Sequence, residues 1–167
     1  MFKKFNNEAR RLLSGAAQVA KQFGHDYIGA EHFLLAMVEG RSRAVEILKT
    51  LHASPERIRD KIELLVPERR AKTEPRMLTK EDFGEMLKWL LKRVKGKRPG
   101  EVITEGLKSA FQTTKEEAAG IGHEYIGTEH LLLGLLSCGD EVVVRALEEE
   151  GLDLDDVRER ARGFSPE

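Results

Sequence analysis

A twelve-residue motif whose two copies share one glutamate and two histidines occurs twice in this chain of 167 residues. Residues 24–35 read GHDYIGAEHFLL and residues 122–133 read GHEYIGTEHLLL, and the two segments are identical at nine of twelve positions. Imidazole and carboxylate groups are common ligands in protein sites. Because repeated segments build repeated structural units, a candidate site in one copy predicts a twin in the other.

The histidines suggest a metal site, but their spacing argues against it. His25 and His32 lie seven positions apart, as do His123 and His130, and glycines separate the members of each pair. Zinc ligands on one helix are usually roughly three or four positions apart. We therefore favour buried histidines that bond the backbone of a turn, and we predict no metal and no cofactor.

The single cysteine, Cys138, excludes an internal disulfide and has no twin in the first copy. We interpret it as a packed or half-exposed thiol rather than a nucleophile. The sequence also contains no Gly-x-x-x-x-Gly-Lys-[Ser/Thr] phosphate-binding loop and no serine or cysteine set typical of nucleophilic catalysis. The chain is therefore predicted not to be an enzyme.

The elements that position the motifs are predicted to be helices throughout. Residues 5–38 align with residues 103–136 at an offset of 98, and the offset becomes 99 after Gly40. Apolar residues recur three and four positions apart in both copies, which indicates four helices in each and no strand. We predict an all-α fold, a pseudo-twofold tandem duplication of a four-helix repeat. The first repeat covers 1–66 and the second 101–164, and together they form one compact domain.

Local signals predict where the helices begin and end. Gly24 and Gly122 stand where the first helices should stop in a left-handed conformation. Thr128 is predicted to cap the second helix of copy two, whereas Ala30 leaves its counterpart uncapped at a cost of about 1 kcal/mol. A short side-chain oxygen can accept a hydrogen bond from the first turn, and on this ground other caps are predicted at Asn6, Ser54, Thr104 and Asp153.

A segment without a repeat, residues 67–100, lies between the copies. Its apolar residues predict one amphipathic helix at about 79–95, and residues 68–98 hold eleven Lys/Arg against five Asp/Glu. The helix could pack on the repeats, or it could bind a protein partner through Phe83, Leu87, Trp89 and Leu90. Nucleic-acid binding is the least favoured alternative, because Trp89 is the one aromatic residue expected to be exposed among the basic side chains.

Composition and the first residues bear on the cellular location and on membrane contact. The formal net charge is −1, and no apolar run approaches the ~20 residues of a membrane span. The first residues lack the apolar stretch of a secretory signal, so a cytoplasmic location and no membrane contact are expected. The sequence fits both a stand-alone protein and the front part of a longer one.

With these residues in view, the sequence resembles the N-terminal repeat domain of Clp-type AAA+ unfoldases, of the ClpA and ClpC type and nearest the ClpC branch. The resemblance rests on two four-helix units that each hold Gly-His-x-Tyr-Ile-Gly-[Ala/Thr]-Glu-His-x-Leu-Leu. It implies a non-catalytic module that docks substrates and adaptors in protein quality control, in association with a Clp ATPase ring. The alternative is a stand-alone adaptor or regulator that binds partners through the inserted helix.

The resemblance also implies a ligand. In ClpC-type relatives the glutamate of each repeated motif binds the guanidinium of phosphoarginine, and here these residues are Glu31 and Glu129. Thr128 and the helix starts at Asn6 and Thr104 are the candidate contacts to the phosphoryl group. Ala30 departs from the usual threonine, so the second copy is the preferred site. The competing interpretation is that each glutamate only stabilises the N-terminus of its own helix, by ~0.3–1 kcal/mol.

Overall fold

The computed structural model describes residues 4–25, 27–69 and 103–165, of which residues 4 and 67–69 are described by their backbone alone. The predicted inserted helix, with Phe83, Leu87, Trp89 and Leu90, lies outside the described residues. Within the described residues, none of the helices combines the length and the apolar character that spanning a membrane requires.

Each copy folds into four helices, as the periodicity predicts. In copy one these are α1 Asn7–Gln22, α2 Ala30–Glu39, α3 Arg43–Thr50 and α4 Pro55–Arg69. In copy two they are α5 Glu105–Ile121, α6 Thr128–Leu136, α7 Glu141–Glu148 and α8 Leu154–Arg162. The predicted all-α fold class is confirmed.

The predicted caps at the first helices are confirmed. Asn6 accepts a hydrogen bond from the amide of Ala9, and Thr104 accepts one from the amide of Leu107. Ser54 and Asp153 likewise bond amides of the first turns of α4 and α8. Gly24 and Gly122 adopt positive φ angles of 67° and 85° at the ends of α1 and α5.

The predicted cap at Thr128 is wrong. Thr128 is the first residue of α6, and Gly127 occupies the N-cap position, as Gly29 does before α2. The hydroxyl of Thr128 bonds residues of the first copy instead, because α1 and α3 lie against this end of α6. Neither of these two helices has a side-chain cap, so Ala30 does not put the first copy at a disadvantage.

The prediction of no strand also needs a correction. Two residues, β1 Lys4–Phe5, pair in parallel with β2 Tyr125–Ile126. A single parallel bridge joins Ile28 to Ile103, the symmetric counterpart. Such short pairings between distant segments have no alternating pattern that a sequence could reveal. Each pairing joins the segment before the first helix of one copy to the motif of the other.

The hydrophobic core is continuous through both copies. Phe33 of α2 meets Phe111 of α5 edge-to-face, with ring centroids 5.2 Å apart and planes at 86°. Cys138 is 5% exposed and belongs to this core, which confirms the interpretation of a packed thiol. The largest fully buried side chains come from both repeats and include Phe33, Leu34, Ile47, Ile58, Ile103 and Phe111. The copies are therefore held to each other by burial as well as by backbone pairing.

Candidate functional site

The repeated motif forms a corner between two helices, and its histidines bond the backbone there. Nδ1 of His130 accepts a hydrogen bond from the amide of Gly127 at 3.0 Å, so this nitrogen carries no proton. The neutral ring then has its proton on Nε2, which lies 2.9 Å from Nδ1 of His123 and donates to it. His32 and His25 repeat the arrangement at 2.9 and 2.8 Å. The interpretation of turn-bonding histidines is confirmed.

This hydrogen bonding bears on whether a metal could bind. His123, Glu129 and His130 bring three potential ligand atoms within 4.8 Å of one another. His130, however, uses one ring nitrogen as an acceptor from Gly127 and the other as a donor to His123. A metal ion would have to break one of these bonds to gain a lone pair on His130. The arrangement fits a bonded corner better than a metal centre.

The two predicted site glutamates are both fully buried. Glu31 and Glu129 lie in the first turns of α2 and α6 and have no exposed surface. Each carboxylate folds back over the glycine two positions before it, where a Cβ atom would collide with it. A larger residue at Gly29 or Gly127 would therefore have to displace the carboxylate, whereas the φ angles of −112° and −108° are ordinary for any residue.

In the second copy the carboxylate is bonded by a phenol and a guanidinium. Oε1 of Glu129 accepts a hydrogen bond from the Tyr125 hydroxyl at 2.7 Å and lies 3.5 Å from Nη1 of Arg43. The same Arg43 nitrogen donates to the Tyr125 hydroxyl at 3.0 Å. Burial and the neighbouring Glu129 carboxylate raise the pKa of Tyr125 well above its ordinary value, so the phenol stays protonated and donates.

Aromatic rings complete the surroundings of this guanidinium. The guanidinium carbon of Arg43 lies 5.1 Å from the ring centroid of Phe164 and 5.8 Å from that of Tyr125. Cations over aromatic faces are attracted by the ring quadrupole. A carboxylate, a hydroxyl and two rings therefore lie around the end of one arginine side chain, and each of them favours a guanidinium.

Thr128 connects this group to the first helix of the other copy. Its hydroxyl donates to Oε2 of Glu8 at 3.2 Å and accepts from the amide of Ala44 at 3.2 Å. Oε2 of Glu8 also accepts from the amide of Arg43 at 3.1 Å. Two carboxylates, Glu8 and Glu129, thus contact Arg43, Glu8 at its backbone amide and Glu129 at its guanidinium.

The predicted residues Asn6 and Thr104 lie beside the motif of the opposite copy. The amide of Asn6 donates to the carbonyl of Ile126 at 2.9 Å, and the amide of Thr104 donates to the carbonyl of Ile28 at 3.1 Å. The structure therefore brings Asn6 and Thr128 to the same side of the molecule, and it places Thr104 near the first motif. Each candidate site is built from both copies.

Sequence reasoning missed Arg43 and the hydroxyl of Tyr125, which contact Glu129, and Glu8, which contacts Thr128. A signal did exist in the broken repeat. At the established offsets Arg43 corresponds to Val142, Glu8 to Gly106 and Thr128 to Ala30. When such differences cluster in space within a duplicated fold, they indicate that the two candidate sites have diverged in the groups that they bind.

The fold and the site together define a class: an all-α domain of two intertwined helical repeats with a buried acidic corner in each. The family model of the Clp repeat (R) N-terminal domain matches residues 4–94 and 102–166. The chain belongs to this family.

Relatives of known description agree with this assignment. A probable ATP-dependent Clp protease ATP-binding subunit of Chlamydia pneumoniae is 31% identical over 162 residues, which cover 95% of this chain and 16% of that protein. ClpC/MecB of Bacillus subtilis, described as a negative regulator of genetic competence, is 30% identical over 163 residues, 96% of this chain and 17% of that one. The chain thus spans about one sixth of the length of these relatives.

Solved structures share the fold. The N-terminal domain of Hsp104 from Candida albicans superposes with a TM-score of 0.60 at 16% identity, covering 95% of this chain and 89% of that one. The N-terminal domain of ClpD from Arabidopsis thaliana gives 0.59 at 18% identity, covering 96% and 94%. At such low identity the likeness concerns the fold alone.

Proposed function

We propose that this domain is a non-catalytic docking module that binds protein substrates or adaptors of a Clp-type unfoldase. Membership of the Clp repeat N-terminal domain family supports the proposal, because the relatives that carry this domain include ATP-binding subunits of a Clp protease. The described residues offer no activated nucleophile at the repeated corner. What they do offer is a pair of buried carboxylates, Glu31 and Glu129, at the starts of two helices.

The ligand chemistry that the site supports best is an arginine-type side chain. The observation that carries this proposal is the guanidinium of Arg43, which Glu129 and Tyr125 hold in place within the molecule. A carboxylate next to a protonated phenol presents two polar groups to the donor-rich edge of a guanidinium. Phosphoarginine is the version that the family resemblance implies. Glu8 places a second carboxylate beside Thr128, and its negative charge opposes a phosphoryl group there. Unmodified arginine is therefore the necessary comparison.

The test uses two peptides that differ in one phosphoryl group on one arginine. Each is titrated by calorimetry into the domain and into the variants Glu31→Gln and Glu129→Gln, which keep the size of the side chain and remove its charge. We expect at least about a tenfold loss of affinity in one or both variants, as loss of a charge-assisted hydrogen bond predicts. The better-bound peptide shows whether the phosphoryl group is recognised.

A matched control lies in the same helix as Glu31. Glu39 is the exposed last residue of α2, so Glu39→Gln should leave the affinity unchanged. Circular dichroism of each variant verifies that the helices are intact. Unchanged affinity in both Glu31→Gln and Glu129→Gln would sink the proposal that these carboxylates recognise the ligand.

A further inference from the structure

The side chain of Arg43 lies where an external arginine would have to bind at the second motif. Nη1 is 3.5 Å from Oε1 of Glu129 and donates to the Tyr125 hydroxyl at 3.0 Å, and the Phe164 ring lies against the guanidinium, with its centroid 5.1 Å from the guanidinium carbon. Glu129 is fully buried, and the Arg43 side chain is 12% exposed. Arg43 therefore contacts a carboxylate that has no exposed surface and itself keeps a small exposed surface.

The hold on Arg43 is not the strongest that a guanidinium and a carboxylate can form. A fork-to-fork pair uses two parallel bonds to both carboxylate oxygens. Here Oε2 of Glu129 accepts no hydrogen bond from the described residues. A ligand without the geometric constraint of the α3 backbone could approach the same carboxylate in another orientation. The contact is thus one that a competing guanidinium could replace.

The surface beside Arg43 offers an approach. Phe164 also lines an open groove of about 510 Å³ between α3 and α8, together with Ile47 and Leu51. The acidic side chains Glu46, Asp156 and Glu159 border the same groove, with Arg160 as the one basic residue there. A chain segment that carries arginine is attracted to such a border by its charge. It would reach the guanidinium of Arg43 from the side of Phe164.

From these contacts we infer that Glu129, Tyr125 and Phe164 form a guanidinium site that the chain fills with its own Arg43. Arg43 acts as an internal occupant, and an external arginine-type group binds there by displacing it. The inference rests on the proposed function in so far as the displacing group belongs to a docked protein. On this inference only the second site is occupied from within, because the residue that corresponds to Arg43 in the second copy is Val142.

The experiment removes the internal occupant and supplies its chemistry from solution. Ethylguanidinium is titrated into the wild-type domain, into Arg43→Ala and into the double variant Arg43→Ala/Glu129→Gln, with amide chemical shifts around Tyr125 as the readout. We expect Arg43→Ala to bind ethylguanidinium at least tenfold more tightly than the wild type does. Ethylammonium has the same charge without the planar fork, and it should show no such gain.

Several results would overturn the inference. It fails if wild type and Arg43→Ala bind ethylguanidinium alike, or if the double variant keeps the gain. If Arg43→Ala does not fold alone, ethylguanidinium is expected to restore its circular dichroism whereas ethylammonium is not. Absence of that rescue overturns the inference, and Arg43→Gln repeats the comparison with most of the aliphatic stem retained.

The outcome is separable from the peptide titration. Ethylguanidinium has no phosphoryl group and no peptide backbone, so its binding depends on the pocket of Glu129 alone. Rescue together with absent peptide binding would leave the self-occupied site standing and reject the docking role. Failed rescue together with peptide binding that Glu31→Gln abolishes would do the reverse.

Discussion

At the scale of single residues, the turn after the third helix of each copy places a different amino acid in the left-handed conformation. His52 follows the end of α3 with a φ angle of 60°, and it is the one non-glycine residue with positive φ in the described parts of the chain. Its counterpart after α7 is Gly151, at 79°. Both turns return an amide to the preceding helix, from Ala53 to the carbonyl of Leu48 and from Leu152 to that of Leu147.

We expect His52→Gly to stabilise the domain. A left-handed conformation costs an L-residue roughly 1–2 kcal/mol, and glycine avoids this cost. Glycine also makes the unfolded chain more flexible, which offsets the gain by roughly 0.5–1 kcal/mol. The net gain in the free energy of unfolding is about 0.5–1 kcal/mol, measured by urea denaturation. The reciprocal change, Gly151→His, should cost about 1 kcal/mol. Destabilisation by both changes would contradict the interpretation of strain at His52.

The residues of the candidate site were partly predictable from the sequence. The motif itself identifies Glu31, Glu129 and the histidines, because their spacing within one corner is local. The contact between Arg43 and Glu129 joins residues 86 positions apart and depends on how the two copies pack. No local pattern encodes such a contact. Its trace in the sequence is the loss of repeat symmetry at Arg43 and Glu8.

At the scale of elements, the packing of α5 against α6 depends on one glycine. A Cβ atom at Gly134 would overlap the carbonyl oxygen of Ala110 and the hydroxyl of Thr114. The backbone oxygen cannot rotate away, so the two helices would have to separate. We expect Gly134→Ala to lower the free energy of unfolding by about 2 kcal/mol or more, as overpacked cores do, measured by urea denaturation.

A control glycine lies at the exposed end of α5. A Cβ atom at Gly120 would meet nothing within 4 Å. Gly120→Ala should therefore raise the free energy of unfolding by up to about 1 kcal/mol, because alanine favours the helix more than glycine does. If Gly134→Ala were equally stabilising, the close crossing of α5 and α6 would not be the reason for that glycine.

Helices were the most predictable level of the fold, and the reason is that their signals are local. Asn6 and Thr104 could be recognised as caps because each bonds an amide three residues later. Thr128 misled the same reasoning, because a threonine at a helix start can equally serve a neighbouring helix. The strand pair of Lys4–Phe5 with Tyr125–Ile126 escaped prediction because each partner is two residues long.

At the scale of the whole molecule, the duplication is intertwined rather than serial. The segment before α1 pairs with the motif of copy two, and the segment before α5 pairs with that of copy one. Each repeated corner therefore receives its neighbours from the other repeat. The sequence predicts two copies from its offset, but an offset carries no information on how the copies are exchanged in space. This exchange explains why one corner could acquire Arg43 without changing its own motif.

An intertwined core should unfold as one unit, and the contact between Phe33 and Phe111 provides the test. Both rings are buried, one from each repeat, in an edge-to-face arrangement. Phe33→Leu and Phe111→Leu should each cost on the order of 1–2 kcal/mol. The double variant should reveal a coupling of about 0.5–1.5 kcal/mol, the range that aromatic pairs contribute beyond their burial.

The control pairs Phe111→Leu with Leu64→Ala, since Leu64 is 76% exposed on α4 and its loss should be additive. Urea denaturation followed by far-ultraviolet circular dichroism should show a single transition in every variant, because one continuous core joins the copies. Two transitions, with each phenylalanine substitution shifting a different one, would mean that the repeats unfold separately. A coupling free energy near zero would also indicate that the repeats unfold separately, because each ring would then stabilise only its own repeat.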